Sequence, residues 1–355
     1  MSLPNSKPSK TANHPINSAD LYKLQSYFYQ LPDELIAQEP SLERDAARLL
    51  IINRTKGTII HDTFKNLNNY LPDNSQFVLN DSKVIPARLL GHRSTGGAVE
   101  VFLLKAQEDG HSFEALIRPL KKINQGEVID FGKGISAVLE DKEKRIVRFN
   151  KKNIILHLKE IGHIPLPPYI KRPDTAQDHE DYQTVYAKEP GSVASPTAGL
   201  HFTEGLIKNL KANGHQFLKL TLHINYGTFK PVDCEDIRLH PMHTEYYSIK
   251  PVVYKSILKA KQEARPLLAV GTTSCRVLEA VALSQEYVGS TNIFIYPGYQ
   301  FQMVDALITN FHLPYSTLLM LVSAFGGYDL IRQAYQEAIK ERYRFYSYGD
   351  AMLIL

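Results

Sequence analysis

Leu267-Leu268-Ala269-Val270-Gly271-Thr272-Thr273-Ser274, LLAVGTTS in one-letter code, is the stretch that decides how this chain folds. Four consecutive apolar residues with no polar alternate suit a strand covered on both faces, as in parallel sheets. Glycine ends the run, small hydroxyl residues follow, and Val277, Leu278 and Val281 then recur at helical spacing. Other segments repeat the strand-then-helix order. From Phe217 to Ile224 the residues Leu218, Leu220, Leu222 and Ile224 share one face of a strand. Asn292–Tyr296, Val304–Thr309 and Ala351–Leu355 read as further strands. One helix is expected to begin at Pro314, and another has Ile331, Ala334, Tyr335, Ala338 and Ile339 on its apolar side. Such units imply an α/β fold with a largely parallel sheet or barrel, and ligands gathering at the strands' C-terminal ends.

Towards the N-terminus, Leu31–Leu35 resembles a short helix start. Leu49–Asn53 and Thr58–Asp62 form a hairpin pattern around Arg54-Thr55-Lys56-Gly57. Phe64, Leu67 and Leu71 follow at helical spacing, and Gln76–Asn80 returns as a strand. Then the texture changes. Val84–His92, Ala98–Ala106, Ser112–Arg118, Glu127–Phe131, Ile135–Glu140 and Arg145–Asn150 are six short β-like segments, punctuated by glycines at turn positions. Regular short strands without a helical period predict a small antiparallel barrel, inserted because βα texture flanks it on both sides. The expected domains are a disordered polar head over 1–23, a discontinuous α/β domain over 24–81 and 153–355, and a barrel over 82–152. Asn153–Glu160 reads as a linking helix, and Ile164-Pro165-Leu166-Pro167-Pro168 as extended chain.

The 355 residues include only two cysteines, Cys234 and Cys275, which excludes a disulfide framework and a four-cysteine zinc site. No apolar run approaches the roughly 20 residues that span a bilayer. The head lacks a signal peptide's apolar core, so a cytoplasmic protein is expected. The net charge is +4 overall, yet 14 Lys or Arg against 9 Asp or Glu lie between Ser82 and Lys152. That +5 in one segment suits a polyanion, and a solvated face would explain it as well.

Several motifs carry chemistry. Glu189–Thr203 (EPGSVASPTAGLHFT) is loop chemistry meeting His201 before a helix that Thr203 could cap. Thr272, Thr273, Ser274 and Arg276, after the buried strand, suit a carboxylate or phosphate at a helix start, and plain capping explains the same residues. His240-Pro241-Met242-His243-Thr244-Glu245 clusters two imidazoles and a carboxylate. The proline argues against a helical zinc motif, which favours proton transfer by His243 or Glu245 over metal binding. Asp305, Thr309, Asn310 and His312 occupy ligand-facing positions of an α/β layout. Asp81 and Arg88 stand where the barrel meets the larger domain. There is no dinucleotide fingerprint, P-loop or nucleophile elbow anywhere in the sequence.

Collinear strings then give a closer resemblance. They include LPDELIAQEP, VIPARL, TGGAVEVFLL, GHIPLPPYIKR, YQTVYAKEPGSVASPTAGLHFT, MHTEYY, VGTTS, FIYPGY, DALITNFHLP and ERYRFYSYGDAMLIL, spanning Leu31 to Leu355. The chain resembles the S-adenosylmethionine:tRNA ribosyltransferase-isomerase family of queuosine biosynthesis. The resemblance implies an irregular α/β barrel with an inserted six-stranded β-barrel. It also implies ribosyl transfer from S-adenosylmethionine to 7-aminomethyl-7-deazaguanine at a tRNA wobble position, with adenine and methionine released. On that basis His201, His243, Glu245 and His312 are candidates for proton transfer. Asp81, Arg88, Thr197, Gly199, Thr272, Thr273, Ser274, Arg276, Asp305 and Asn310 are candidates for substrate binding. No metal and no resident cofactor are expected, S-adenosylmethionine being consumed, and a monomer is expected. Rival readings are a non-catalytic tRNA-binding protein and a metal-dependent hydrolase. The chain departs from the family pattern at Asn225, where glycine is expected, at Ser82-Lys83 and at Cys275.

Overall fold

A computed structural model describes residues 18–225, 227 and 231–355. Residues 1–17 of the expected head, with Tyr226, Thr228 and Phe229 beyond Asn225, lie outside the described residues. The head's remainder includes a 3-10 turn at Ser18–Tyr22.

In chain order the first strands are β1 (Arg48–Asn53), β2 (Thr58–Thr63), β3 (Gln76–Asn80) and β4 (Ser82–Val84). Next come β5 (Arg88–Arg93), β6 (Ala98–Ala106), β7 (Ser112–Arg118), β8 (Val128–Asp130), β9 (Ser136–Asp141) and β10 (Ile146–Phe149). After the short helix α1 (Leu158–Ile161) follow β11 (Gly162–His163), α2 (Asp178–Asp181) and β12 (Glu189–Ser192). The remainder is α3 (Glu204–Ala212), β13 (Gln216–Leu222), β14 (Glu245–Ser248), α4 (Pro251–Gln262), β15 (Leu267–Val270), α5 (Gly271–Ser284) and β16 (Val288–Thr291). It closes with β17 (Ala306–Asn310), α6 (Thr317–Gly326), α7 (Tyr328–Lys340) and β18 (Ala351–Ile354).

The six segments expected to form a barrel do so. Strands β5, β6, β7, β10, β9 and β8 pair in that order, and β5 closes onto β8. Strand β11 adds to β5 from outside the ring. Leu89, Val101, Leu103, Ala115, Leu139 and Val147 fill the interior, the inward half of each alternating strand. Strand β4 pairs instead with β12, in a separate two-stranded ladder.

The large sheet has nine strands in the order β16-β14-β13-β3-β15-β17-β18-β1-β2. The apolar run Leu267–Val270, expected to be buried on both faces, is central as β15, and β1, β3, β17 and β18 are likewise covered on both sides. Alternate residues divide cleanly between the faces. Leu50, Val78, Ala269, Leu307 and Met352 pack under α4 to α7, whereas Leu49, Phe77, Leu268, Ile308 and Leu353 pack with Phe64, Phe202 and α3. The predicted parallelism holds for β13, β3, β15 and β17. It fails at β14, β16 and β2, which run antiparallel to their neighbours, and inside the sheet, where β18 runs parallel to β1 but antiparallel to β17.

Two boundaries differ from expectation for local reasons. Tyr315 has φ +60, so α6 cannot start at Pro314; it starts after Ser316, whose hydroxyl accepts from the Leu319 amide. Residues 292–296 are not a strand, because Thr291 Oγ1 takes the Ile293 amide and turns the chain away from β14.

Gly162, in β11 beside the barrel, is packed closely against backbone: a β-carbon there would lie 2.2 Å from the Pro86 carbonyl and 2.7 Å from that of Leu158. Both are backbone atoms and cannot rotate aside. Gly162→Ala is expected to lower unfolding free energy by roughly 1–3 kcal/mol in urea titration, while an exposed change such as Lys159→Ala shifts it little.

Candidate active site

The parallel strands β13, β3, β15 and β17 end on one side, and a cavity of about 670 Å³, counted with its open mouth, lies over those ends. Gly271 makes the turn from β15 into α5 with φ +87, a conformation natural to glycine. Thr272 and Thr273 follow on the wall, and Thr197, Asn310 and His312 join them from other loops. Thus five predicted residues, distant in sequence, meet in one place.

Asn310 organises this wall. It is buried at the end of β17, and its Nδ2 lies 3.1 Å from His201 Nε2 and donates to the Tyr346 carbonyl at 3.2 Å. Its Oδ1 accepts from Thr197 Oγ1 at 3.0 Å. His201 therefore presents an unprotonated Nε2. Burial, reinforced by Arg344 and Arg44, pushes its pKa down to about 4. His201 thus acts on the cavity through Asn310. His312 stands on the wall itself, with Nε2 2.8 Å from Thr309 Oγ1 and its amide donating to Tyr335 Oη. Burial pushes its pKa down to about 3, so this ring too is neutral at pH 7.

Other predicted residues lie elsewhere. Glu245 is 2 % exposed, ion-paired with Arg276 and accepting the Asn225 amide at 3.1 Å. This arrangement suits anchoring of the loop after β13 better than proton transfer. Ser274 is fully buried one residue behind the wall. Gly199 allows close packing, since a β-carbon there would fall 2.0 Å from Tyr186 Oη. Asp81 is buried, accepts from Thr221 Oγ1 at 2.7 Å, and has its pKa raised chiefly by burial. Arg88 pairs with Glu100 at 3.2 Å in a separate groove against Pro165–Pro168. Asp305 immediately precedes β17, at the end opposite Asn310, and its carboxylate accepts the Leu267 amide at 2.8 Å. His243 is exposed and rests on the backbone of Gly227. Among the described residues no three His, Cys, Asp or Glu converge to hold a metal, and Glu245 is committed to Arg276.

The candidates chosen from the sequence leave out Ser195, Tyr169, Tyr346 and Ser347, which line the wall. Tyr169 Oη and Ser347 Oγ are 2.6 Å apart, and the Tyr169 and Tyr346 rings lie 4.7 Å apart between centroids. The signal available was weak: Tyr169 follows a proline run, and Tyr346 lies in a ring-rich stretch that equally suits a packed helix end. Neither spacing points to a cavity. Among the described residues, no Lys, Arg, Asp or Glu lines it.

An α/β sheet with a closed barrel attached, and an uncharged, hydroxyl- and tyrosine-lined cavity over its parallel strand ends, defines an enzyme-like architecture. The chain belongs to the family described as queuosine biosynthesis protein, whose profile matches residues 24–354. It is 47% identical to an S-adenosylmethionine:tRNA ribosyltransferase-isomerase of Nitratidesulfovibrio vulgaris, over 94% of this chain and 97% of that one. The protein of the same name from Symbiobacterium thermophilum is 49% identical, over 94% and 100% respectively. The crystal structure of S-adenosylmethionine tRNA ribosyltransferase from Thermotoga maritima superposes with a TM-score of 0.55, at 37% identity over 93% of this chain and 100% of that one. Among the described residues no helix is long and apolar enough to cross a membrane.

Two outcomes follow from this geometry. An unfolded histidine, with its ordinary value of 6.5, takes a proton that folded His201 refuses down to about 4. Stability from this residue is complete above pH 6.5 and is lost as pH falls towards 4, with a slope of up to ~1.4 kcal/mol per pH unit. Denaturant titrations from pH 7 to 4.5 are expected to show a shallower decline for His201→Gln than for the parent chain. Glu245→Gln leaves the Arg276 cation buried without its counter-charge. It is expected to cost about 3–5 kcal/mol of unfolding free energy, whereas loss of a mere proton carrier would leave stability unchanged.

Proposed function

We propose that this chain transfers and isomerises the ribosyl group of S-adenosylmethionine onto tRNA, the reaction its relatives' names state. The cavity carries this reading. Its wall combines tyrosine rings, hydroxyls and a neutral imidazole, without a fixed charge among the described residues. A sulfonium is a soft cation that aromatic faces attract, and a carboxylate is not needed to hold it. The acceptor is the amine of 7-aminomethyl-7-deazaguanine at the wobble position, and epoxyqueuosine-tRNA, adenine and methionine are the products.

The chemistry distributes over few groups. The sulfonium acidifies the C5′ proton of the ribose, and a base must take it. Among the described residues lining the wall, His312 is the imidazole placed to take that proton. Adenine leaves C1′ with a proton, and Tyr169, whose pKa burial raises well above 10, stays protonated and able to donate. The nucleophile is the tRNA's own amine, so no catalytic serine or cysteine is required. The net +5 of residues 82–152 supports contact between barrel and tRNA phosphates. S-adenosylmethionine is spent as a substrate, with no resident cofactor or metal in the scheme. A monomer in the cytoplasm accords with it.

The test is release of free adenine from S-adenosylmethionine, with and without tRNA carrying the aminomethyl base, in the presence of chelator. Adenine is expected only with that tRNA, and His312→Gln is expected to slow it about 10²–10⁴-fold. Binding of the tRNA without any adenine release would overturn the reading in favour of a non-catalytic RNA-binding protein.

A further inference from the structure

Ser195 lies on the cavity wall with 4 % of its surface exposed, and its hydroxyl oxygen is buried without a hydrogen-bond partner. Leaving a buried polar group unmatched costs roughly 1–3 kcal/mol, so such a group in a cavity is the natural partner of a ligand. The first residues of α5, a helix of 14 residues, share that wall. The residue before them is Val270, and no side chain caps that end. Uncapped amides and the helix's positive end favour a negative group there.

Two residues beyond Ser195, Thr197 supplies the complement. Its hydroxyl proton is committed to Asn310 Oδ1, whose orientation is set by the Nδ2 contacts to His201 and the Tyr346 carbonyl. Thr197 Oγ1 is left with lone pairs and no proton to give, which makes it an acceptor. One loop therefore offers a donor at Ser195 and an acceptor at Thr197, beside a helix N-terminus. That pattern matches a zwitterionic α-amino acid.

Resting on the proposal that S-adenosylmethionine is the donor, we infer that Ser195 and the start of α5 hold the α-carboxylate of its methionine portion, with Thr197 Oγ1 accepting from the α-ammonium. A phosphate is a poorer match, because among the described residues no Lys or Arg lines the cavity to balance a second negative charge. With the amino acid seated there, the sulfonium and ribose extend towards Tyr169, Tyr346 and His312, the groups that the chemistry engages.

Calorimetric titration of the full-length protein with S-adenosylmethionine and with its decarboxylated form tests this without a variant. The parent chain is expected to bind the carboxylate-bearing ligand at least about 10-fold more tightly, the size of one charge-assisted hydrogen bond. Ser195→Ala is expected to weaken S-adenosylmethionine by roughly 5–10-fold and to leave the decarboxylated ligand unchanged. Equal affinities for the two ligands in the parent chain would overturn the inference, as would equal weakening of both by Ser195→Ala. If S-adenosylmethionine binds and is consumed without preference for the carboxylate, only this seat is wrong. If it neither binds nor yields adenine with the tRNA, the functional reading falls with it.

Discussion

A buried primary amide must place two donors and an acceptor, and Asn310 does so where three segments converge. It ends β17, faces His201 from the loop before α3, holds Thr197 in the same loop, and donates to the carbonyl of Tyr346. Tyr346 itself has φ +71, a conformation costing a non-glycine residue on the order of 1–3 kcal/mol, and it lines the cavity. The strained turn persists because neighbours hold it: its amide donates to the Phe311 carbonyl, and Asp350 takes the amides of Arg48 and Arg344. Satisfying one side chain thus locks the loops that form the cavity. This gives the wall the rigidity that positioned chemistry requires.

The Glu245–Arg276 pair plays a comparable part on the other flank. Both side chains are buried, and isolated charges there would be costly. Arg276 also reaches the Ile293 carbonyl, and Glu245 holds the Asn225 amide. The pair therefore ties α5, β14 and the chain beyond β16 to the turn leaving β13. Asn225, the departure from the family pattern, uses its side-chain amide to reach the Thr244 carbonyl at 2.9 Å, so it strengthens this junction where glycine could not.

The two histidines next to the cavity share one physical condition. Each is enclosed by apolar and aromatic neighbours, including Phe64 against His201, and each stays neutral because burial penalises the imidazolium. Their roles then separate by geometry. His312 faces the cavity, whereas His201 orients an amide that faces it.

Much of the architecture was legible from periodicity alone. Six short segments predicted the barrel strands, all within a residue or so except the first, which begins at Arg88 and not at Val84, and the unbroken apolar run Leu267–Val270 picked out a strand buried on both faces. Thr203 was recognisable as a cap, and its hydroxyl does accept the Leu206 amide at 3.0 Å. The loop residues Thr197, Thr272, Thr273, Asn310 and His312 were identifiable because small polar residues at strand ends and helix starts are where α/β folds gather ligands. Strand direction at the sheet edges and between β17 and β18 was not, since pairing partners far apart in sequence decide it. Nor was the fate of Glu245, Arg276, Gly199, Asp81, Arg88 and Asp305, whose chemistry suits a site but whose neighbours commit them to packing, ion pairs and backbone contacts. Ser195 is the converse case: a serine unremarkable in sequence gains meaning because folding buries its hydroxyl beside the start of α5 and supplies no partner. The sequence by itself determined the barrel strands and most strands and helices of the large sheet, because period and turn chemistry are local properties, whereas β14, α4 and β16 were not read from it. Only the tertiary structure decided which polar groups face the cavity, because that depends on how distant segments satisfy one another's hydrogen bonds.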